Sequence, residues 1–592
     1  MLSRYDRLRT ISTLLSGTVV GPTRTVARGE EPSEDEAPKE GAVRDRERYP
    51  REMQLSYAHG TSETPLLGET IGRNLARIAS TFPDRDALVS CHEGRRFTYR
   101  ELARDVSRLA RGLLAMGLAK GDRVALWSPN SADWVLVQYA TADVGIVLVN
   151  VNPAYRSHEL AYVLKQSGAK VLFSASRFKT SDYRGMVDEV RAQCTDLERA
   201  IFMDDPAFAE VSLRGDDVSL EELEKRRASL SPDDPIDIQY TSGTTGFPKG
   251  ATLSHHSILN NGFFVGELVH YTEHDRVCLP VPFYHCFGMV MGNLAATSHG
   301  AAIVIPSAGF DPKAALEAVS KERCTSLYGV PTMFIAELEE LGKSSYDLTS
   351  LRTGIMAGSP CPIEVMKRCV SDMNMAEVAI CYGMTETAPV STQTRREDSL
   401  EHRVSTVGTV MPHVEVKIVD PETGITVPRN AVGELCTRGY SVMLGYWNDP
   451  KKTDEAVDAA GYMHTGDLAT MDDQGFVRIV GRSKDMVIRG GENVYPREVE
   501  EYLHAHPEIA DVQVVGVPDP KYGEELCAWV RRIEGAALLE EDVRAFCKGK
   551  LAHYKVPRYV LFVEEFPMTV TGKVQKYKMR EESVRLLGIV VG

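Results

Sequence analysis

The chain predicts an α/β fold: a large N-terminal domain of mainly parallel sheets flanked by helices, a β-rich subdomain, and a small α+β C-terminal domain. Three observations carry this. From about Thr70, apolar strand-like runs alternate with amphipathic helical stretches, the pattern of a parallel sheet covered on both faces. After Met411 the texture shifts to short strands and turns. Beyond Gly481 lies a mixed helix–strand unit of about a hundred residues, a normal domain size. At 592 residues the chain is also too long for one compact core.

Taken in order, Arg123 to Trp127 reads as a strand, and Asn130-Ser131 as the cap of a helix running to Ala142. Ile146 to Val151 is a strand, His158 to Gln166 a helix and Lys170 to Phe173 a strand. The alternation continues through helices Ala314 to Lys321 and Met333 to Leu341 and strand Ala376 to Cys381. Glu415 to Val419, Gly433 to Arg438 and Phe476 to Val480 form the subdomain. Gly481-Arg482-Ser483-Lys484-Asp485 marks a boundary. Past it come helix Arg497 to His504, strand Val512 to Val517, helix Glu540 to Lys550 and strand Tyr559 to Val563. The expected organisation is an extension over 1–64, a large domain over 65–481 and a small one over 482–592.

A net charge of −15 argues against a nucleic-acid partner, because neutralising phosphates needs an excess of Lys and Arg. Eleven cysteines without a C-x-x-C pair fit reduced thiols, not a disulfide framework or zinc site. Val277 to Phe310 lacks any Asp, Glu, Lys or Arg and is longer than the ~20 residues of a membrane span. Pro280, Pro282, Gly288, Gly292 and Pro306 interrupt it, so it reads as a buried strand, helix and strand (Ala301 to Ile305); peripheral association with a lipid surface stays open.

Residues 1–28 hold Arg4, Arg7, Arg9, Arg24 and Arg28 against one acidic residue, Asp6. That composition fits a mitochondrial presequence, and the acidic stretch Glu30 to Arg51 reads as disordered. An unstructured extension of a cytoplasmic protein is the slightly favoured alternative to the matrix.

The most informative stretch is Tyr240-Thr241-Ser242-Gly243-Thr244-Thr245-Gly246-Phe247-Pro248-Lys249-Gly250, after the strand-like Ile236 to Gln239. Glycines let backbone N–H groups approach phosphate, the hydroxyls add short donors, and Lys249 brings a mobile charge. That suits the triphosphate of ATP. Further polar motifs follow. Tyr382-Gly383-Met384-Thr385-Glu386 offers a ring for stacking a purine, a hydroxyl donor and a hard oxygen ligand for magnesium. Gly354 to Pro360, with Gly358, Ser359 and Pro360 at its end, brings backbone near the other face of that base. Asp467 can accept from both ribose hydroxyls, and Arg482 adds a charged contact to sugar or α-phosphate. Lys573 stands on a turn in Met568-Thr569-Val570-Thr571-Gly572-Lys573.

Together with Pro282-Phe283-Tyr284-His285-Cys286-Phe287-Gly288 and the run Gly481 to Pro496, these motifs identify a resemblance to the adenylate-forming (AMP-binding) superfamily. Within it the chain resembles medium- and long-chain fatty acid–CoA ligases, over about Pro65 to the C-terminus. The resemblance implies a two-step reaction in which a carboxylate attacks the α-phosphorus of Mg-ATP and the thiol of CoA then displaces AMP. It assigns Lys573 to the charge build-up of the first step, and Thr241 to Lys249 to the β- and γ-phosphates. Glu386, with Thr241, takes the magnesium, and Thr385 beside Glu386 is a catalytic donor. Tyr382, Asp467 and Arg482 fix the nucleoside. It further implies a mobile C-terminal domain hinged at Lys484, whose rotation brings Arg489, Gly490 and Gly491 to the CoA arm. Phe283, Tyr284, His285 and Tyr328 are the expected acyl pocket, without a carboxylate to pair an amino-acid ammonium. An acyl-AMP ligase loading a carrier protein and a non-catalytic nucleotide-binding regulator are the alternatives. Oligomeric state is open, with a homodimer among the options.

Overall fold

The computed structural model describes residues 54–241, 248–490, 492–548, 550–569 and 573–589. The predicted targeting segment, the loop Ser242 to Phe247, and Gly491 lie outside the described residues.

Two sheets make the body. The first has seven strands in the order Gly445–Tyr446, Lys249–Ser254, Pro235–Thr241, Val147–Asn150, Arg123–Trp127, Val171–Ser174, Arg199–Phe202. Its last five strands run parallel and its first two antiparallel. The second has nine, in the order Thr409–Val410, Val390–Gln393, Glu377–Gly383, Thr353–Ala357, Ser326–Gly329, Arg276–Cys278, Ala302–Ile305, Asp86–Ser90, Arg95–Thr98. Its six central neighbours from Glu377–Gly383 to Asp86–Ser90 are parallel. Strands such as Val147–Asn150, Val171–Ser174 and Ala302–Ile305 are buried at every residue, so they read as continuous apolar runs and not as alternation.

Two helix starts in the body illustrate side-chain capping. Ser131 Oγ accepts the Trp134 N–H at 3.1 Å to open Ala132–Asp143, and Thr98 forms a reciprocal capping box with Glu101 to open Tyr99–Ala115. The uncharged run from Val277 resolves into strand Arg276–Cys278, a π-helical segment Phe287–Leu294 passing into Ala295–Ser298, and strand Ala302–Ile305. No helix among the described residues is long and apolar enough to cross a membrane.

The β-rich subdomain is an antiparallel sheet, Tyr57–His59, Val414–Val419, Gly433–Gly439, Met463–Met471, Val477–Arg482. Its first strand corrects the expected extension over 1–64. Tyr57–His59 pairs with Lys417, Val416 and Glu415, so folded structure begins before Pro65. A three-residue edge strand carries no readable period, and its partner lies over 350 positions away (|i−j| = 358 for the Tyr57–Glu415 side-chain bond).

The sheet ends at Arg482, where the expected boundary falls. After the turn Ser483–Asp485 a new sheet forms from the hairpin Val487–Arg489 and Glu492–Val494, the long pair Ile509–Asp519 and Gly523–Arg532, and the parallel strand Tyr559–Phe562. Helix Pro496–His504 covers it, and Val487, Val499, Leu503, Val512, Leu526 and Val543 share its own core. Helix Glu540–Cys547 stops three residues short of the predicted Lys550.

Candidate active site

The phosphate-loop motif sits on a hairpin. Thr241 and Lys249 are register partners at the ends of strands Pro235–Thr241 and Lys249–Ser254, so the residues between them form the connection. Thr241 Oγ1 donates to the Lys249 carbonyl at 3.4 Å, and Tyr162 donates to the Pro248 carbonyl at 3.0 Å. Ser242, Gly243, Thr244, Thr245, Gly246 and Phe247 lie outside the described residues.

Lys249 leads to a residue that sequence reasoning missed. Its ammonium stands 4.3 Å from the ring centroid of Tyr446, and the Tyr446 hydroxyl donates to Glu386 Oε1 at 2.7 Å. Tyr446 thereby links the phosphate-loop lysine to the expected metal carboxylate. Its strand, Gly445–Tyr446, joins the hairpin as the outermost strand. The two-residue strand offers no sequence period, and only the glycine before the tyrosine hints at a turn.

Glu386 and Thr385 open the turn Thr385–Thr387 after strand Glu377–Gly383, and both are buried. The Thr385 hydroxyl reaches the Cys286 thiol, whose pKa burial raises. A buried carboxylate held by one neutral phenol is a hard oxygen donor, which fits magnesium.

Tyr382, Asp467 and Arg482 converge. The Tyr382 hydroxyl donates to Asp467 Oδ2 at 2.7 Å and Arg482 Nε donates to Oδ1 at 3.1 Å; Asp467 and Arg482 are cross-strand partners. Burial, then the Asp467 charge, raises the Tyr382 phenol. Glu434 holds the approach to Asp467: Oε1 accepts the Gly466 N–H and Oε2 faces His464 Nδ1, both at 2.9 Å.

Lys573 enters this same space from the C-terminal sheet. The hairpin that carries it is closed by mutual bonds, Thr569 N–H to the Lys573 carbonyl at 2.7 Å and Lys573 N–H to Thr569 Oγ1 at 3.0 Å. Burial and then Arg482 lower its ammonium pKa, while Glu386, Cys286 and Asp467 act the other way. Gly358 makes room. It has φ +90°, and a side-chain carbon there would stand 3.9 Å from Lys573 Cε and 3.2 Å from Val330 Cγ1. Ser359 and Pro360 continue the same loop after strand Thr353–Ala357.

The expected acyl-pocket residues take different places. His285, whose Nδ1 accepts the Phe287 N–H at 3.1 Å, feels Lys573 directly; burial and that charge push it down to about 3. Tyr328 is buried, stacks with Phe287 at 5.6 Å and accepts from Tyr271 at 3.0 Å. Tyr284 is buried, and among the described residues its hydroxyl has no hydrogen-bond partner. Phe283 packs on Trp134 at 5.5 Å and its N–H donates to Asn130, which makes it a core residue.

Of the expected CoA residues, Arg489 ends the strand Val487–Arg489, which pairs with Glu492–Val494, and Gly490 follows it. Arg489 forms a bidentate pair with the buried Glu525, both bonds 2.7 Å, and Gly490 N–H donates to the Tyr522 carbonyl at 2.7 Å. Lys484 lies in the turn Ser483–Asp485, its pKa lowered by burial and Arg482. Across the seam between the C-terminal sheet and the body, Arg531 pairs with Glu339 at 3.1 Å and Arg497 donates to the Ile479 carbonyl at 2.9 Å. Glu501 Oε2 accepts the Ile363 N–H at 3.4 Å, at the start of helix Ile363–Asp372, which has no side-chain cap of its own.

The chain belongs to the AMP-binding enzyme family: the family profile matches residues 75–447, and that of the AMP-binding enzyme C-terminal domain matches 498–573. Among similar proteins, YngI of Bacillus subtilis is 47% identical over 543 residues, covering 88% of this chain and 99% of its own length. The rat mitochondrial medium-chain acyl-CoA ligase ACSF2 is 47% identical over 554 residues, covering 89% and 90%. The ATP-bound structure of MatB from Rhodopseudomonas palustris superposes with TM-score 0.74 at 30% identity, over 87% of this chain and 99% of that one. The anthranilate CoA ligase AuaEII bound to anthranoyl-AMP gives 0.79 at 25%, over 89% and 99%.

Proposed function

We propose that this protein is an ATP-dependent acyl-CoA ligase that activates a medium- or long-chain fatty acid as acyl-AMP and passes it to CoA. The observation that carries this is Lys573 standing within the field of Glu386, Asp467 and Arg482, beside Gly358. A nucleotide-binding regulator needs no lysine where a second anion meets the α-phosphate.

In the first step a carboxylate oxygen bonds to the α-phosphorus as the bond to pyrophosphate breaks. Lys573 neutralises the two anions as they meet, a role worth ~10²–10³ in rate for one well-placed donor. Asp467, steadied by Tyr382 and Arg482, orients the ribose. Thr241 to Lys249 hold the outer phosphates. Glu386, with Thr241, would hold magnesium, which supplies charge neutralisation on the phosphates when bound, and the Thr385 hydroxyl is a donor beside it. In the second step the CoA sulfur bonds to the acyl carbon and AMP leaves. For that step the C-terminal domain pivots at Lys484, withdrawing Lys573 and bringing Arg489, Gly490 and Gly491 to the site. The name of the ACSF2 relative supports a medium-chain acid. It also supports a mitochondrial location over the cytoplasm, as does the arginine-rich composition of residues 1–28.

The test is pyrophosphate release with ATP and acids from acetate to palmitate, plus benzoate, with and without CoA. Release and thioester formation peaking at medium or long chains support the reading; release without acyl-CoA would point to a carrier-protein acceptor instead.

A further inference from the structure

Lys573 does not place itself. Three residues further on, Lys576 opens the last helix, Lys576–Leu586, whose N-cap Gln575 makes no side-chain capping bond. Lys576 Nζ lies 2.5 Å from Glu500 Oε1 and 3.1 Å from the Val514 carbonyl oxygen. The same Glu500 oxygen accepts the Val514 N–H at 2.7 Å. One buried carboxylate thus ties together helix Pro496–His504, strand Ile509–Asp519 and the start of the last helix. The Glu500 side chain is 7% exposed and that of Lys576 23%, so the pair is largely shielded from water.

Before Lys576, Phe566 is buried with Val515, Val517, Trp529 and Met579, Val574 packs against the same cluster, and Met568 bridges to Val574. The backbone bond from Thr569 N–H to the Lys573 carbonyl and that from Gln575 N–H to the Pro567 carbonyl, each 2.7 Å, close the hairpin, together with the Thr569 hydroxyl. The chain leaving Lys573 is thus held by an apolar contact at Val574 and by a shielded polar one at Lys576. We propose that Lys576, through Glu500, is a positioning residue for the adenylate-forming step: the ion pair fixes the bearing of the hairpin that aims Lys573. The inference rests on the role given to Lys573 under Proposed function. The lock lies wholly within the C-terminal unit and travels with it, so its loss damages the step that uses Lys573 and spares the step that does not.

Full-length Lys576→Ala, Lys576→Arg and Glu500→Gln proteins test this with three readouts. These are acid-dependent pyrophosphate–ATP exchange, thioester formation from supplied acyl-AMP and CoA, and hydrogen–deuterium exchange over residues 567–575. A misplacement of about 1 Å costs about 10²-fold, so K576A and E500Q should lose about 10–100-fold in the first readout, while the second stays within about twofold. K576R should restore most of the first. Hydrogen exchange over 567–575 should quicken in K576A and E500Q with the rest of the protein unchanged. Equal loss in both half-reactions, or unaltered hydrogen exchange over the hairpin, overturns the proposal. A wild-type enzyme inactive toward every acid, with exchange still quickened in K576A, supports the lock and sinks the ligase reading instead.

Discussion

Tyr446 donates to Glu386 at 2.7 Å while its ring faces the Lys249 ammonium at 4.3 Å, so one side chain touches both the proposed metal carboxylate and the proposed phosphate-loop lysine. Phe at this position keeps the ring and removes only the donor. A hydrogen bond to a charged acceptor is worth about 1.5–3 kcal/mol. Tyr446→Phe should therefore raise the magnesium and ATP concentrations needed for half-maximal pyrophosphate release by about 10-fold or more. An unchanged magnesium dependence would show that Glu386 needs no such support.

Lys573→Ala should abolish adenylate formation, a loss of about 10²–10³-fold or more, and leave thioester formation from supplied acyl-AMP largely intact. Rapid-quench assays of the two half-reactions check it. Equal loss in both would contradict the division of labour.

Lys484→Pro should do the reverse. Proline fixes φ and obstructs the pivot, while the closed arrangement with Lys573 in place persists. Acyl-AMP should accumulate on the enzyme and acyl-CoA production should fall. Normal acyl-CoA output from this variant would move the hinge elsewhere.

His255 sets a pH limit on stability. It is fully buried at the start of helix His255–Leu268, and its Nδ1 accepts the Ile71 N–H at 3.3 Å. Burial pushes its pKa down to about 3 from 6.5. Below 6.5 the unfolded chain binds a proton that the folded chain refuses, so stability is full above that pH and is lost as pH falls toward 3. Between pH 6.5 and 5 the loss from this group approaches about 2 kcal/mol. Melting temperatures from pH 8 to 5 should show a flatter decline for His255→Asn, which keeps an acceptor and does not titrate. Parallel curves for the two proteins would assign the acid sensitivity to other groups.

The parallel strands were legible because both faces are buried and the apolar runs are continuous: Arg123–Trp127 falls where composition puts it. The cap at Ser131 was legible because a hydroxyl precedes the helix it serves. Tyr382, Asp467 and Arg482, which the fold brings together, could each be singled out because each carries a polar or charged group in its side chain. Phe283 shows the limit: an aromatic residue beside a site and one beneath it look alike in sequence, and only the packing on Trp134 separates them. Tyr446 and Lys576 act through partners 60 and 76 positions away, and no local period records such pairings. The edge strand Tyr57–His59 was missed for the same reason.

Across the seam Glu501 meets Ile363, Arg497 meets Ile479 and Arg531 meets Glu339. The Arg531–Glu339 pair is partly solvated, at 27% and 47% exposure, and such pairs contribute at most about 1 kcal/mol. That pair alone is too weak a clasp to lock the seam shut. On the proposed pivot, timing would then come from the cargo: triphosphate charge facing Lys573 would keep the small unit seated, and the departure of pyrophosphate would free it to turn.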